Sequence, residues 1–292
     1  MTPDAAAPSG SSDGARPAEA GQAPQASTVD PSPSGNGSTA PLLQLRGVSK
    51  HFGPVQALSR VDLDIIAGAV TALVGDNGAG KSVSVKTISG IWQPDEGEIY
   101  WDGKPVHIHN PREAAGLGIA TVYQDLALCD NLDIVQNAYL GRELTRAEVL
   151  DETAMELTAK ETLSGLSVTS VRSIRQPVGS LSGGQRQAVA VARAVMFDAR
   201  LVIMDEPTAA LGVAQTAMVL DLIKRLSANG IAVIVISHNL NDVFAVADRI
   251  AVLHLGRMVA AGPASDYDRQ RIVELMTTGT YSQAAVAGGA SA

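Results

Sequence analysis

A short glycine-rich segment of the chain has the composition and spacing of a loop that binds phosphate groups. Its sequence is Gly75-Asp76-Asn77-Gly78-Ala79-Gly80-Lys81-Ser82, which fits the pattern G-x-x-x-x-G-K-[ST]. An apolar run at residues 70–74 precedes it, and residues 83–88 are typical of a helix. Glycines let backbone amides converge on phosphate oxygens at a helix N-terminus. We therefore expect Lys81 to reach the β- and γ-phosphates of a nucleotide and Ser82 to bind Mg²⁺.

Two acidic residues follow a second apolar run, at residues 201–204. The pattern predicts a buried strand that ends in Asp205 and Glu206. At this position Asp205 can hold Mg²⁺, often through water, and Glu206 can activate the attacking water. A positioned general base of this kind contributes roughly 10²–10⁴-fold to a rate. The acids alone would also fit a solvated turn before Pro207, but the phosphate loop upstream favours a hydrolytic site.

Apolar runs of strand length alternate with helical patterns through much of the chain. The runs with the continuous apolar character of buried parallel strands are residues 70–74, 119–123, 201–204 and 231–236. One apolar helix face is predicted from the spacing of Val219, Leu222, Ile223 and Leu226. The segment after Gln185 is apolar nearly all round, which indicates a buried helix. The alternation predicts an α/β fold with a parallel sheet covered on both faces.

Further strands are expected toward the ends of this region. Residues 42–48 and 61–65 have strand patterns, and residues 250–255 with 258–260 predict a hairpin. By contrast, the segment 126–178 contains no convincing strand. Its residues 142–163 are polar and helix-prone, so we expect a helical insertion there.

Both ends of the chain differ in composition from the rest. Residues 1–40 are rich in Ala, Pro, Ser and Gly and contain six of the 14 prolines, and residues 281–292 form a similar short tail. Such segments bury too little apolar surface to offset their ordering entropy. We therefore expect two disordered tails around a folded domain at residues 41–280.

Composition also limits the classes of function. The 22 Lys and Arg residues stand against 30 Asp and Glu residues, so the net charge is −8 and nucleic acid is not expected as a partner. The single cysteine, Cys129, cannot form an internal disulfide. No apolar run approaches the ~20 residues needed to cross a bilayer, so any membrane role would require a partner protein.

A third motif identifies the family that the chain resembles. Leu181-Ser182-Gly183-Gly184-Gln185 matches the signature motif of the ATP-binding cassette (ABC) ATPases. Its separations from the phosphate loop and from the acidic strand end also resemble those of that family. The resemblance extends from about residue 42 to residue 279. It implies a P-loop NTPase core with a mainly parallel sheet, an N-terminal antiparallel β portion and a helical insertion.

The resemblance assigns further residues to the site. Phe52 matches the aromatic residue that stacks on adenine, and His238 matches the histidine that contacts the γ-phosphate. Gln124 matches the glutamine that senses Mg²⁺ and the attacking water, so the implied metal site comprises Ser82, Gln124 and Asp205. In the family, the signature of one cassette covers the γ-phosphate bound by another. The resemblance therefore implies ATP, Mg²⁺ and a head-to-tail dimer with a second copy or a related chain.

Finer resemblance indicates the branch that imports monosaccharides of the ribose, xylose and fructose type. It lies in segments 76–80, 137–143 and 206–212, and the chain is similar to the single-cassette members. That branch implies transmembrane permease subunits, an extracytoplasmic sugar-binding protein and a place at the cytoplasmic face of the membrane. A groove around residues 124–139 would receive a helix of the permease. Gly212 departs from the Asp found in many cassettes.

Other functions stay open at the level of the sequence. The cassette could serve another importer or an exporter with the same nucleotide chemistry. A soluble cassette acting on DNA or ribosomes is disfavoured by the net charge and by the low aromatic content of 3%. A regulatory module without hydrolysis is disfavoured because Lys81, Gln124, Asp205, Glu206 and His238 are all present.

Overall fold

The computed structural model describes residues 40–166, 168 and 171–280. The expected disordered tails, 1–40 and 281–292, lie outside the described residues except for residue 40. The strands are β1 (Pro41–Phe52), β2 (Val55–Ile66), β3 (Val70–Gly75), β4 (Glu96–Trp101), β5 (Lys104–Val106), β6 (Ile119–Val122), β7 (Thr145–Arg146), β8 (Val149–Leu150), β9 (Leu201–Asp205), β10 (Ala232–Ile236), β11 (Arg249–His254) and β12 (Arg257–Pro263). The α-helices are α1 (Lys81–Ile88), α2 (Pro111–Gly116), α3 (Ile134–Tyr139), α4 (Glu152–Gly165), α5 (Gly183–Val195), α6 (Val213–Ala228), α7 (Leu240–Val246) and α8 (Arg269–Thr278).

The larger sheet contains the strands that the apolar runs predict. Its six strands lie in the order β12-β11-β3-β10-β9-β6, and all neighbours are parallel except β11 and β12. β3 and β10 are buried along their whole length, as expected of parallel strands covered on both faces. Loops that follow the carboxyl ends of such strands form the usual ligand site of an α/β sheet.

A second, antiparallel sheet covers one face of the larger sheet. Its strands lie in the order β2-β1-β4-β5. Leu43 and Leu45 of β1 belong to the same apolar cluster as Ile234 of β10. Val233, the preceding residue of β10, belongs to the cluster formed with α5 and α6, which includes Ile223. Each such buried side chain stabilises the fold by about 1.5–3 kcal/mol. The predicted α/β architecture with its antiparallel N-terminal portion is thus confirmed.

The N-terminal strands are longer than the sequence predicts. The predicted strand 42–48 covers the first part of β1 and the predicted strand 61–65 the last part of β2, and both strands extend to the turn at residues 53–54. Register shifts occur between Leu45 and Val48 and between Val48 and Lys50. Such irregularities break the alternation of apolar and polar residues by which a strand is recognised. No expectation covered β4, β5 or α2.

The helical expectation for residues 142–163 is wrong in its first half. α3 and α4 are helical, but the chain between them forms a two-stranded ribbon, β7 with β8. Its turn residues Ala147 and Glu148 have φ of 51° and 66°. α4 begins only after Asp151, whose side chain accepts a hydrogen bond from the amide of Ala154. Polar composition alone did not locate this N-cap, which marks where the helix starts. Within the described ranges, the structure contains no helix with the length and apolarity of a membrane span.

Candidate nucleotide-binding site

The predicted phosphate loop connects β3 to α1. Gly80 has φ of 105°, and a Cβ atom on it would lie 2.9 Å from the carbonyl oxygen of Ala57. Only glycine combines this left-handed backbone with so close an approach. α1 begins at the next residue, Lys81, so the unpaired amides of its first turn lie at the loop.

Lys81 lies across the loop and is almost buried, with 8% of its surface exposed. Its Nζ donates hydrogen bonds to the carbonyl oxygens of Gly75, at 2.7 Å, and Asp76, at 3.0 Å. Burial lowers the pKa of Lys81, and the nearby carboxylates, Glu206 foremost, partly oppose this shift. The carbonyl contacts satisfy the ammonium group, and phosphate oxygens offer it stronger, charge-assisted partners.

Asp205 ends β9 beside β10, where the parallel strands bring it close to the phosphate loop. Burial raises the pKa of Asp205, and the neighbouring charge of Glu206 acts in the same direction. Lys81 and Lys86 act against the shift. Asp205 therefore favours a cationic ligand that would stabilise its ionised form.

Glu206 and His238 form a hydrogen-bonded pair. Glu206 Oε1 lies 2.8 Å from His238 Nδ1. Glu206 has φ of 50°, and its amide donates a hydrogen bond to the carbonyl of Ile236 at 2.9 Å. The Glu206 side chain is 17% exposed, whereas that of His238 is 71% exposed. The pair thus combines a largely buried carboxylate with an exposed imidazole, and a carboxylate or an imidazole can each take part in proton transfer.

A cavity of about 320 Å³ brings most of the predicted site residues together. Its described lining residues are Ala57, Asn77, Gly78, Gly80, Lys81, Ser82, Val83, Gln124, Asp205, Glu206 and Ile236. His238 joins this set through Glu206. The expected loop residues that belong to the same turn but do not line the cavity are Gly75, Asp76 and Ala79.

The donor set of the cavity fits Mg²⁺. The hydroxyl of Ser82, the amide of Gln124 and the carboxylate of Asp205 line the same space. Mg²⁺ prefers oxygen ligands and is usually bound through one or two carboxylates together with phosphates and water. These residues therefore match the ion in chemistry.

Phe52 lies apart from the cavity lining, at the end of β1. Its ring is 40% exposed and packs edge-on against Trp92, with the centroids 4.6 Å apart. Lys50 Nζ lies 5.6 Å from the Phe52 centroid. The exposed ring leaves a face on which a nucleobase can stack, and Trp92 supports it from the side.

The signature residues form the start of α5 and do not line the described cavity. Ser182 is the N-cap, and its side chain and that of Gln185 cap each other's backbone amides. A Cβ on Gly183 would lie 2.8 Å from Cδ2 of Leu211, so the helix start packs closely on the loop that follows Glu206. Leu181 is buried beside this contact at 7% exposure.

The sequence patterns assigned no structural role to two residues that hold the segment after Gln124. Arg193 of α5 donates to the carbonyls of Leu126, at 2.7 Å, and Ala127, at 2.8 Å. Burial lowers the pKa of Arg193. Asn137 is fully buried, and its amide group bonds both the N–H and the carbonyl of Cys129. A polar residue within an apolar helix was the available signal for both.

A second cavity of about 320 Å³ lies beside this segment. It is lined by several alanines together with Tyr123, Leu140, Arg142, Arg193 and Phe197. The expected groove at residues 124–139 contributes Ala138 to its lining.

Comparison with known proteins gives relatives over most of the chain. A family model described as ABC transporter matches residues 58–209. The fructose import ATP-binding protein of Rhizobium meliloti is 48% identical over 244 residues, which are 81% of this chain and 94% of that protein. A xylose/arabinose import ATP-binding protein of Sulfolobus acidocaldarius is 45% identical over 237 residues, with the same coverage. A ribose import ATP-binding protein of Rubrobacter xylanophilus is 42% identical, but this chain spans only 47% of it.

Solved structures agree with the fold. An ATP-binding cassette of an ABC transporter in its ADP conformation has a TM-score of 0.71 at 26% identity, covering 82% of this chain and 96% of that one. A dimeric bacterial ABC transporter cassette has a TM-score of 0.63 at 27% identity, covering 76% and 98%. Fold and site together define an ATPase of the P-loop class. With the matching family model and the close relatives, the chain belongs to the ABC transporter family.

Proposed function

We propose that this chain is the ATP-hydrolysing subunit of an importer that carries a monosaccharide across a membrane. The observation that carries the proposal is the 48% identity to a fructose import ATP-binding protein along 94% of that protein's length. The xylose/arabinose relative supports the same class of cargo. The site residues bind nucleotide, so the cargo assignment rests on these relatives alone.

The site residues have distinct roles in binding and hydrolysing ATP. Lys81 and the loop amides, from Gly75 to Ser82, hold the β- and γ-phosphates of ATP. Glu206 accepts a proton from the attacking water, and His238 orients Glu206 and contacts the γ-phosphate. Phe52 stacks on adenine, and Gln124 reports on the state of the γ-phosphate to the segment that follows it.

Mg²⁺ bound by Ser82, Gln124 and Asp205 would neutralise charge on the phosphates. The protein's own contribution is to hold these oxygen ligands beside Lys81 in one cavity.

A second cassette would complete the site. The signature residues Leu181, Ser182, Gly183, Gly184 and Gln185 do not line this chain's own cavity. They form a helix N-terminus, which attracts anions. We infer that they cover the γ-phosphate held by a partner cassette, so that ATP joins two cassettes head to tail. The dimeric cassette among the solved relatives supports this arrangement.

The remaining partners follow from the proposed transport role. Permease subunits would carry the sugar and would contact the cavity lined by Tyr123, Leu140 and Phe197. An extracytoplasmic binding protein would act indirectly by delivering sugar to them. The chain would then lie at the cytoplasmic face of the membrane. A transporter of another cargo is the alternative.

Sugar uptake in a strain that lacks the gene tests the proposal. We expect loss of uptake of one monosaccharide, restored by the wild-type gene and not by Glu206→Gln at equal protein level. Uptake of an unrelated nutrient is the control. If no sugar uptake changes while the purified protein still hydrolyses ATP, the cargo is not a monosaccharide and the alternative holds.

A further inference from the structure

Asp242 is a buried carboxylate that the chemistry described above does not use. It lies in the first turn of α7 and is 7% exposed. No cation of the described chain lies within ion-pair distance of it, and its Oδ2 accepts a hydrogen bond of 2.6 Å from the hydroxyl of Thr208. Burying an acid costs free energy unless hydrogen bonds satisfy it, so the bond from Thr208 helps to keep Asp242 in this position.

Thr208 belongs to the turn that carries Glu206. The turn starts at Glu206, whose left-handed backbone directs the chain away from β9. The amide of Ala209 donates to the carbonyl of Glu206 at 3.1 Å and closes the turn around Thr208. This closed turn links the position of Thr208 to that of Glu206.

Asp242 is likewise linked to His238, through hydrogen bonds within the short segment between them. Asn239, the residue after His238, is the N-cap of α7, and its side chain accepts from the amide of Asn241. The Asn239 amide in turn donates to the hydroxyl of Ser237 at 3.0 Å. The short segment from His238 to Asp242 is thus fixed by its own hydrogen bonds.

The two segments are joined twice, and the two links differ in burial. Glu206 bonds His238 at 2.8 Å near solvent, whereas Thr208 bonds Asp242 at 2.6 Å in a part-buried place. The bond from the Glu206 amide to the Ile236 carbonyl anchors the start of the turn, and the bond between Thr208 and Asp242 adds a restraint on its far side. His238 is 71% exposed, so packing alone does little to hold it against Glu206.

We propose that Asp242 is a positioning residue for ATP hydrolysis, which acts through Thr208 to hold Glu206 and His238 in register. Asp242 does not touch the reacting atoms. It fixes the turn of Glu206 relative to the helix that follows His238. The inference concerns hydrolysis and not cargo, so a negative result for sugar uptake leaves it unaffected.

The test uses the full chain and steady-state ATP hydrolysis. Thr208→Val removes the hydroxyl at nearly constant volume, and Thr208→Ser keeps it. We expect T208V to lower kcat roughly 10- to 100-fold, because misplacement by about 1 Å can cost that much. KM for ATP should stay within about threefold of the wild-type value, since uniform binding is unchanged. T208S should retain a kcat near that of the wild type.

A double-mutant cycle with His238→Ala separates positioning from a general loss of stability. If Thr208 and Asp242 act through the Glu206–His238 pair, T208V should lower kcat less than about threefold in the H238A background. Equal losses in the two backgrounds, a wild-type kcat for T208V, or a change in KM alone would each overturn the proposal.

A second variant covers the case in which T208V does not fold. Asp242→Asn keeps a neutral acceptor for the Thr208 hydroxyl, and a neutral hydrogen bond is about half as strong as a charge-assisted one. We expect D242N to lower kcat less than T208V does, again without a change in KM. A wild-type kcat for D242N together with a wild-type kcat for D242A would contradict the proposed role.

Discussion

Burial shifts the pKa values of Lys81 and Asp205 in opposite directions, and in both cases it favours the neutral form. The attraction between the two side chains opposes the shifts without cancelling them. In the folded chain, the charged forms of both side chains are therefore less stable than they would be in water. Phosphate next to Lys81 and a divalent cation next to Asp205 would each stabilise the charged form, which is the electrostatic basis of binding at this site.

We expect Asp205→Asn to raise the melting temperature of the nucleotide-free protein at pH 7 and to abolish hydrolysis. The pKa of Asp205 is raised above its usual 3.8, so the folded state binds the proton more tightly than the unfolded state does. Ionisation of Asp205 then lowers the free energy of unfolding, and this loss grows as pH rises above the usual pKa of 3.8. Asn is neutral throughout.

Thermal unfolding of both proteins between pH 4 and pH 7 measures this effect. The gain in melting temperature for D205N should increase with pH, whereas Glu96→Gln, at an exposed position outside the site, should show little change. A D205N protein that is less stable than the wild type at pH 7 would show that burial is not the main influence on the pKa of Asp205.

Lys81→Ala should weaken ATP binding by about 10- to 100-fold, because hydrogen bonds to charged groups are worth about 1.5–3 kcal/mol. Titration with a fluorescent ATP analogue measures the dissociation constant. Lys104→Ala removes an exposed lysine of β5 and serves as the matched control. Equal affinity of K81A and K104A would refute the assignment of the phosphate loop.

The residues of the site differ in how far the sequence reveals them. The phosphate loop and the acids Asp205 and Glu206 are recognisable because each motif is contiguous and follows an apolar run. Thr208 and Asp242 are 34 residues apart and meet only because β9 and β10 are neighbours. No local sequence pattern predicts such a hydrogen bond.

At the scale of the elements, α5 links two functional segments. Its N-terminus carries the signature, and Arg193 near its other end holds the carbonyls of Leu126 and Ala127. The segment after Gln124 and the signature are thus attached to one continuous helix. If one of these segments is displaced, we expect α5 to transmit part of the displacement to the other.

Arg193→Leu should lower the free energy of unfolding by about 1–3 kcal/mol, because two carbonyls lose their partner in a half-buried place. Urea unfolding measures the change. Arg257→Ala, at an exposed position on β12, should change it by less than about 0.5 kcal/mol. If R193L is as stable as R257A, the segment after Gln124 is held by other contacts.

The elements themselves were predictable in proportion to their burial. β3, β9 and β10 are mostly apolar because both faces are covered, so their runs stand out in the sequence. β7 and β8 are exposed two-residue strands, and their residues carry no alternation that a pattern could detect. The turn at Ala147 and Glu148 depends on left-handed backbone that non-glycine residues seldom adopt.

At the scale of the whole molecule, the described cassette separates the parts that are proposed to act on ATP. The cavity contains the phosphate loop and the acids, while the signature lies outside its lining. If the proposed dimer forms, each nucleotide is held by two chains. Hydrolysis by one chain alone should then be slow at concentrations below those of dimer formation.

Mixing two inactive variants tests the shared site. Lys81→Ala damages the phosphate-loop side, and Ser182→Glu places a negative charge on the signature side. Each should be inactive alone. An equimolar mixture should recover about one quarter of the wild-type rate, because random pairing makes half of the dimers mixed and each mixed dimer has one intact site.

A mixture of K81A with Glu206→Gln is the matched control. Both lesions lie on the same side of the site, so no intact combination can form and no activity should return. A K81A and S182E mixture without recovery would contradict the arrangement in which the signature serves a second chain.

The contact between Gly183 and Leu211 joins two segments that are proposed to act on different ATP molecules. Leu211 follows the turn of Glu206, which is proposed to act on the chain's own ATP, and Gly183 belongs to the segment proposed to act on the neighbour's ATP. A Cβ at position 183 would lie 2.8 Å from the leucine side chain, so the two segments are in close contact. In the proposed dimer, hydrolysis of one nucleotide would therefore be linked to the site of the other by the packing of a leucine side chain against a glycine.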